Sequence, residues 1–588
     1  MIEPRIYRAA FVPALLAIVL VMFSLESRPR PLPQGLAADV LFDGEQAAAG
    51  ARQIAGRHPD RSPGSPGDLA TAADVEQAFT DSGFAAEAQK FEHEGRELVN
   101  VIGRRAGASR RQVLVVAARD APGVPDAAGS AADTAALLEI ARVFEGRPSR
   151  KSLVLASVDG STLGEVGVSE LLSEVDGPDL VAGVLVVSGL GAGQGPPAIV
   201  PWSNGTKRSG IGLQRTIAES LRAELEAPAE GASPAGQLAR LAFPVGIGGQ
   251  GVLLGEGYDT ARISGDGELS ESSVEASVDE DRLGGMGRAT LRAITALDQG
   301  PAPGRGPPTY LTIANQVMPG WVLAVLAATL ILPALAASID AFARARRRRA
   351  AVGPWLIWIA AGVVPFLVGY VIAKLLGLVG TTPDAPPAAV SPDLYPLDVP
   401  AIAVLVTVLG AVALMWIGLR HFFGPPVRKM DELAASGAGV AVALVLSVAA
   451  CLLWLINPFA ALFAVPAVHL WILATLVDPP PTRRTRIALT VGGLVLPVLL
   501  AVYGLFVLGV EPIGAAWYLL LLTIGGVIGL PQVIVAALFL AAFGSVVGII
   551  GRAPSGRRPG DIEPPKTRGP LSYAGPGSLG GTESALRR

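Results

Sequence analysis

The sequence predicts a three-layer α/β sandwich around a mixed sheet, followed by an all-α transmembrane bundle of about eight helices. Apolar runs of bilayer-spanning length are concentrated after Met318. The chain is 51% hydrophobic, which is too apolar for a wholly soluble protein. In the first half, short apolar strands alternate with a helical pattern, as is typical of an α/β domain.

Three strands of mainly apolar residues indicate the centre of the sheet. Val113–Ala117, Leu153–Val158 and Val184–Val187 have this character, which is typical of strands buried on both faces. The helical pattern of Asp133–Phe144 predicts a helix packed on one face. Residues 310–315 are expected to add a last strand before Pro319 opens a membrane span.

Three segments identify a resemblance. VLVVAARDA begins at Val113, GSAADTAALLEIAR at Gly129, and RKSLVLASVDGSTLGEVGVSELL at Arg150. In this order they resemble the family-28 zinc metallopeptidases of the aminopeptidase S/Y type. RSPGSPG (61–67) and LVNVIG (98–103) extend the likeness to roughly residues 45–295. The resemblance implies a zinc-aminopeptidase-like mixed sheet and a two-zinc site with His and carboxylate ligands.

At the positions where the resemblance places this site, most ligand residue types are missing. Ala118 stands for the family's His, while Asp120 survives as the residue that orients a ligand. The bridging Asp falls on Gly129, unless a local gap brings Asp126 or Asp133 there. The Glu-Glu pair falls on Ser161 and Thr162, the third-strand Asp falls on Ser188 or Gly189, and residues 243–259 lack the final His. The vestigial-site positions are therefore Ala118, Asp120, Gly129, Asp133, Ser161, Thr162 and Ser188.

None of the four histidines lies at a position where the resemblance places a zinc ligand. His58 and His93 lie outside the motif positions, and His421 and His469 lie in or beside predicted spans. We therefore predict no catalytic residue, no metal ligand and no cofactor, although zinc is expected of the family. Two alternatives stay open: a Ser161 nucleophile, against a simple strand-end turn, and a cation held by the loop acids, against solvated acids.

The Lys/Arg bias of the loops predicts the orientation. Arg5 and Arg8 place the N-terminus in the cytoplasm, and the basic run 344–349 marks the cytoplasmic end of the second span. Residues 30–310 and the acidic loop 380–399 are then outside. The predicted spans are roughly 9–25, 319–340, 354–378, 400–419, 436–456, 459–477, 487–510 and 529–550.

The last apolar stretch, residues 515–550, is too long for one helix. We expect one span preceded by an interfacial piece with Trp517 and Tyr518 at the surface, with nine spans as the alternative. The first apolar segment reads as a retained anchor rather than a cleaved signal peptide. The predicted organisation is an anchor (1–29), an extracytoplasmic peptidase-like domain (30–310), a polytopic membrane domain (311–551) and a disordered cytoplasmic tail (552–588).

One polar residue within the spans, His469, is a candidate site. It is expected to hydrogen-bond a neighbouring helix or to line a polar cavity. The single cysteine, Cys451, lies in a span, so the outer domain has no disulfide. A net charge of −3 gives no indication of nucleic-acid binding.

The architecture is similar to that of the attachment subunit of the GPI transamidase and of membrane metallopeptidases of the endoplasmic reticulum. The sequence leaves open whether the domain is an enzyme and favours a pseudoenzyme. We hypothesise a protein of the bacterial cytoplasmic membrane that contacts membrane lipids and binds a peptide or envelope partner. The alternatives are an active, divergent metallopeptidase with substituted ligands, and a lipid or solute transporter with a lid domain.

Overall fold

A seven-stranded mixed sheet organises the first half of the chain. The computed structural model describes residues 4–34, 41–192, 195–225, 231–269, 277–426, 437–477 and 480–552. The sheet has the order β2-β3-β5-β4-β6-β8-β7, and β1, β10 and β9 form a smaller sheet. The strands are β1 (Glu26–Ser27), β2 (Ala85–His93), β3 (Arg96–Arg105), β4 (Ser109–Ala118), β5 (Lys151–Val158), β6 (Val181–Ser188), β7 (Ala198–Val200), β8 (Thr260–Ser264), β9 (Tyr310–Ile313) and β10 (Gln316–Pro319).

The four central strands β5, β4, β6 and β8 run parallel, so their carboxyl ends meet at one edge. The outer strands β2, β3 and β7 pair antiparallel. The expected mixed sheet is therefore confirmed. The first helices are α1 (Pro4–Ala9), α2 (Val12–Phe23), α3 (Gly44–Arg57), α4 (Pro66–Asp81), α5 (Ala132–Phe144), α6 (Val166–Leu171), α7 (Ile211–Leu225), α8 (Pro234–Ala242), α9 (Gly249–Gly255) and α10 (Glu280–Gln299).

Helices cover both faces of the large sheet. Val113 and Val115 of β4 are buried on one face in a cluster with α3, α5, α7 and α10. Leu114 and Val116 are buried on the other face with α6 and α9. Because both faces are buried there, the residues of β4 from Val113 to Ala118 are all apolar, and no polar alternation is seen in that part of its sequence.

The RSPGSPG segment begins a helix and closes it onto the sheet. Ser65 caps α4 by accepting the N–H of Asp68, and Pro66 occupies the first turn. Gly64 has φ 69°, and a Cβ there would lie 2.7 Å from the carbonyl oxygen of Glu97. Only glycine fits this approach.

The second half is helical. Its helices are α11 (Gly320–Arg347), α12 (Val352–Ala361), α13 (Val364–Leu378), α14 (Val399–Phe422), α15 (Ala438–Ile456), α16 (Pro458–Leu476), α17 (Arg483–Leu508), α18 (Pro512–Gly525) and α19 (Leu530–Arg552). With α1–α2 and α12–α13 each counted as one, eight helices among the described residues are long and apolar enough to cross a membrane. This number agrees with the prediction and is typical of a polytopic membrane protein.

The ambiguous stretch forms the short helix α18 before α19, as expected for a separate piece. Its aromatic residues are placed differently from the prediction. Trp517 and Tyr518 are each 1% exposed. The Tyr518 hydroxyl donates to the carbonyl of Val390 at 2.6 Å, and Trp517 packs with Ala401 and Val404 of α14. The surface position expected for these rings is wrong, because the 379–398 loop and α14 cover them.

The α/β unit, which consists of the seven-stranded sheet and the helices that cover it, is attached to the helices of the second half at several points. Glu26 of β1 pairs with Val317 of β10, so the segment leaving α2 is tied to the segment entering α11. The Asn457 side chain caps α16 and donates to the carbonyl of Leu241 at 2.8 Å. The turn between α15 and α16 is thus also a contact with the α/β unit.

A fully buried ion pair holds α4 to the end of β4. The Arg119 guanidinium donates to both carboxylate oxygens of Asp68 at 2.7 and 2.8 Å and to the carbonyl of Val99 at 2.6 Å. Both charged side chains are 0% exposed. Removal of one partner from a buried pair leaves the other charge uncompensated.

We expect Asp68→Asn to lower the free energy of unfolding by about 3–5 kcal/mol, because Arg119 then loses its bidentate partner. Asp74→Asn is the matched control, since Asp74 lies on the same helix and its side chain is 63% exposed. The measurement is thermal and denaturant unfolding of the full-length protein in detergent, followed by circular dichroism. Equal stability of the two variants would contradict the role of the pair.

Candidate functional site

A cleft of about 1050 Å³ lies at the edge where the parallel strands end. Ligand sites of α/β folds are commonly found at this edge. The loops after β4, β5 and β6 line the cleft together with Arg262 of β8 and the residues just before α9. Its acidic lining residues are Asp120, Asp126, Asp133, Glu165, Asp266, Asp279 and Asp393, and Arg262 is the basic residue among the described lining.

Asp120 joins two strand ends. It follows β4 and accepts the backbone N–H groups of Ser161 and Thr162, both at 3.0 Å, and the Thr162 hydroxyl at 2.9 Å. Burial raises the pKa of its carboxyl, while these hydrogen bonds lower it. The sequence positions Asp120, Ser161 and Thr162 therefore come together, with Asp120 as an acceptor for the loop after β5.

Asp133 makes the equivalent contact with the loop after β6. Its two oxygens accept the N–H groups of Gly189 and Leu190 at 2.8 and 2.9 Å. Burial raises the pKa of Asp133 to about 7. Both Asp120 and Asp133 are thus engaged by backbone donors on each carboxylate oxygen.

The turn before α5 places Asp126 against Gly129. Residues 127–131 form a single π turn, and Asp126, at φ 44°, accepts the N–H of Ser130. A Cβ at Gly129 would lie 2.5 Å from Asp126 Oδ1, so the Asp126 carboxylate fills the space in front of Gly129. The bridging position predicted at Gly129 is therefore occupied in space by the neighbouring aspartate.

Glu165 is one of the charged cleft residues that the sequence reasoning missed, together with Arg262 and Asp393. It is 8% exposed and has φ 60°, which is uncommon for a residue with a side chain. Among the described residues, no donor hydrogen-bonds its carboxylate. Burial, and to a smaller extent the nearby Asp120, raise its pKa, Arg262 lowers it, and the net value is about 8. The available signal was the acidic residue of Gly-Glu-Val-Gly, four residues beyond Ser161.

Arg262 provides the positive charge of the cleft. It is 5% exposed, and its Nη1 donates to Ser188 Oγ at 3.3 Å. Its buried Nε–H has no acceptor among the described residues. Burial lowers the pKa of Arg262, and Glu268, Glu165 and Asp133 raise it. Ser188, one of the site positions predicted from the sequence, is therefore a hydrogen-bond partner of this arginine.

The remaining predicted positions are placed as follows. Ala118 lines the cleft at the end of β4, and none of the four histidines lines it. His58 lies 3.7 Å from Asp74, and His93 lies 3.8 Å from Glu94. His469, far from the cleft in sequence, lies 2.6 Å from the Tyr7 hydroxyl and 2.8 Å from the carbonyl of Leu330, in two neighbouring helices. Of the two roles expected for His469, hydrogen bonding to neighbouring helices is the one seen in the structure.

Several oxygen atoms of the cleft that could bind a metal ion already accept hydrogen bonds. Backbone N–H groups engage both oxygens of Asp120 and of Asp133, and the Arg262 guanidinium lies within the same cleft. Across the described ranges, no group of three His, Cys, Asp or Glu side chains is arranged to hold a metal ion.

No protein-family model matches the chain, and no curated protein matches it. Among solved structures, it is similar to a zinc aminopeptidase from Bacillus subtilis (12% identity, 45% of this chain and 95% of that chain covered, TM-score 0.36). It is also similar to LapB from Legionella pneumophila, with 14% identity, 48% of this chain and 81% of that chain covered, and a TM-score of 0.37. A third similar structure is a glutaminyl cyclase from Bacteroides thetaiotaomicron, with 14% identity, 45% of this chain and 99% of that chain covered, and a TM-score of 0.35. Zinc aminopeptidases are therefore among its structural neighbours, as the resemblance implied, but likeness at this level assigns no activity.

The buried Glu165 carboxyl predicts a pH dependence of stability. Its folded-state pKa of about 8 lies above the ordinary value of 4.5, so between these values the folded protein holds a proton that the unfolded chain has released. The stability from this proton is fully present below pH 4.5 and is lost as pH rises through about 8. Glu165→Gln removes this titration. As pH rises from 5 to 9, the free energy of unfolding of the variant should therefore increase by about 2–4 kcal/mol relative to that of the wild type.

Thermal unfolding of the full-length protein across this pH range measures the shift. Glu170→Gln, on the short helix α6 that begins directly after Glu165 but outside the cleft lining, is the control and should follow the wild type. A stability difference between wild type and Glu165→Gln that stays constant with pH would rule out the titration.

Proposed function

We propose that this chain is an integral membrane protein whose α/β unit binds a peptide through a cationic group, such as a free amino terminus, without hydrolysing it. The observation that most supports this function is the buried Glu165 carboxyl, which has no hydrogen-bond donor among the described residues and lines an acidic cleft of about 1050 Å³. A cleft of this size is large enough for a short peptide.

The chemistry of Glu165 favours an ammonium ligand. A buried carboxyl group without a partner is unfavourable, and an ammonium group offers three donors and a compensating charge. The pairing would stabilise the ionised carboxylate and lower the pKa of Glu165 from about 8. Six further acidic residues of the lining give the cleft an excess of negative charge, which attracts cations.

The same site supports binding without catalysis. Zinc hydrolysis needs a metal that lowers the pKa of a bound water molecule. Asp120 and Asp133, at vestigial-site positions, already accept backbone N–H groups on both carboxylate oxygens, so these oxygens are less available to a metal ion. We therefore infer a pseudoenzyme whose former metal site has become a binding cleft.

The proposed location is the bacterial cytoplasmic membrane, with the α/β unit outside and both termini in the cytoplasm. The basic residues of the run 344–349 lie at the end of α11 away from β10, and Arg483 and Arg484 begin α17. This distribution follows the positive-inside rule. The partner would be a peptide or an envelope protein close to the bilayer, and the apolar helices would contact lipid.

One observation favours a divergent hydrolase as the second candidate. The Glu165 pKa of about 8 is close to the value that suits a general acid or base at neutral pH. Turnover of aminoacyl substrates by the purified full-length protein, together with stoichiometric metal by elemental analysis, would establish this candidate. Turnover lost in Glu165→Gln would assign the catalytic group.

Binding of a short fluorescent peptide tests the leading proposal. We expect the full-length protein in detergent to bind a peptide with a free amino terminus without cleaving it, and to bind the N-acetylated peptide about tenfold more weakly. Glu165→Gln should cause a similar loss, whereas Glu170→Gln should bind as the wild type does. Binding measured by fluorescence anisotropy that is indifferent to both acetylation and Glu165→Gln would sink the proposal.

A further inference from the structure

A loop from the helical second half of the chain (α11–α19, called the membrane half below) forms part of the cleft wall. Residues 379–398 connect α13 to α14, and the cleft lining includes Val390, Ser391, Asp393 and Leu394 of this loop. Val390 is 3% exposed, whereas Asp393 is exposed at the mouth of the cleft. The α/β unit therefore does not enclose the cleft by itself.

The loop touches the α/β unit beside the unpartnered carboxyl. The carbonyl of Ala389 accepts the N–H of Gly248 at 3.4 Å. Gly164, with φ 87°, lies so close to the loop that a Cβ there would be 2.8 Å from the backbone nitrogen of Pro387. Gly164 directly precedes Glu165, so the loop is packed against the backbone that positions the carboxyl.

The other side of the loop is held by membrane-half helices. Tyr518 of α18 donates its hydroxyl to the carbonyl of Val390 at 2.6 Å. Ala389 belongs to a buried apolar cluster that also includes Ile247 of the α/β unit and Leu508 and Leu522 of the helices. The loop therefore lies between the cleft and the helices of the second half. A movement of the cleft wall or of these helices requires a change in the position of the loop.

We propose that loop 379–398 completes the binding site, with Asp393 as an acceptor that selects cationic ligands at its mouth. This inference rests on the proposed function and adds a specificity-determining residue from the membrane half. A ligand that contacts Asp393 binds the present loop position more tightly than any withdrawn one, so its binding stabilises this arrangement of the ends of α13 and α14. Peptide binding outside is thereby coupled to the helices.

Two variants separate loop position from loop charge. Gly164→Ala introduces a Cβ into the Pro387 contact and should push the loop away from the cleft. Gly83→Ala is its matched control, because Gly83 has φ 77° and its Cβ would meet no atom within 4 Å. Asp393→Asn removes the charge alone, and Asp384→Asn is its control in the same loop but outside the cleft lining.

The probe is the fluorescent peptide with a free amino terminus, measured with the full-length protein in detergent. Gly164→Ala and Asp393→Asn should each weaken binding by about threefold to tenfold, while both controls bind as the wild type does. Loop displacement is read separately by maleimide labelling of Ser391→Cys in a Cys451→Ala background, since Cys451 is the single native cysteine. Gly164→Ala should accelerate labelling, and Gly83→Ala should leave it unchanged.

The outcomes distinguish the two proposals. No peptide binding by the wild type would overturn the proposed function, and this inference with it. Wild-type binding that Gly164→Ala and Asp393→Asn leave unchanged would overturn the inference alone. An unaltered labelling rate in Gly164→Ala would overturn the loop contact on which the inference depends.

Discussion

The guanidinium of Arg119, buried completely at the carboxyl end of β4, contacts α4 through Asp68, β3 through the Val99 carbonyl and the end of β5 through Asp159, 3.6 Å away. A charge without access to water needs all of these partners, so the elements that supply them have little freedom to separate. Asp120 follows Arg119 directly. The position of the cleft's first carboxyl therefore depends on an ion pair that lies behind it.

Two ways of accommodating buried carboxyl groups meet in the cleft. Asp120 and Asp133 are satisfied by backbone N–H groups of neighbouring strand ends, so they join the loops to one another. Glu165 has no such donor among the described residues, and the charges of Asp120 and Arg262 act on it only at longer range. The first two stabilise the local architecture. The third leaves a site with unused hydrogen-bonding capacity, which is the property a ligand can exploit.

The membrane half also positions the α/β unit and forms part of the cleft. The short sheet of β1, β10 and β9 and the Asn457 contact with Leu241 fix the α/β unit directly on the bundle. That attachment brings the 379–398 loop to the mouth of the cleft, where Ala389 is fully buried. The cleft at this junction is lined by two parts of the chain that are far apart in sequence, so its shape depends on both.

The sequence by itself determined the spans and the central strands, because hydrophobic length and continuity are local properties that survive without knowledge of neighbours. It also located Asp120 and Ser188 at strand ends and Asp133 at the start of a helix. It could not place Asp126 in front of Gly129, since the intervening π turn shifts the register. Only the tertiary structure brought Glu165, Arg262 and Asp393 into one cleft, because they come from a helix start, a strand and a membrane-half loop whose proximity depends on packing across long sequence separations.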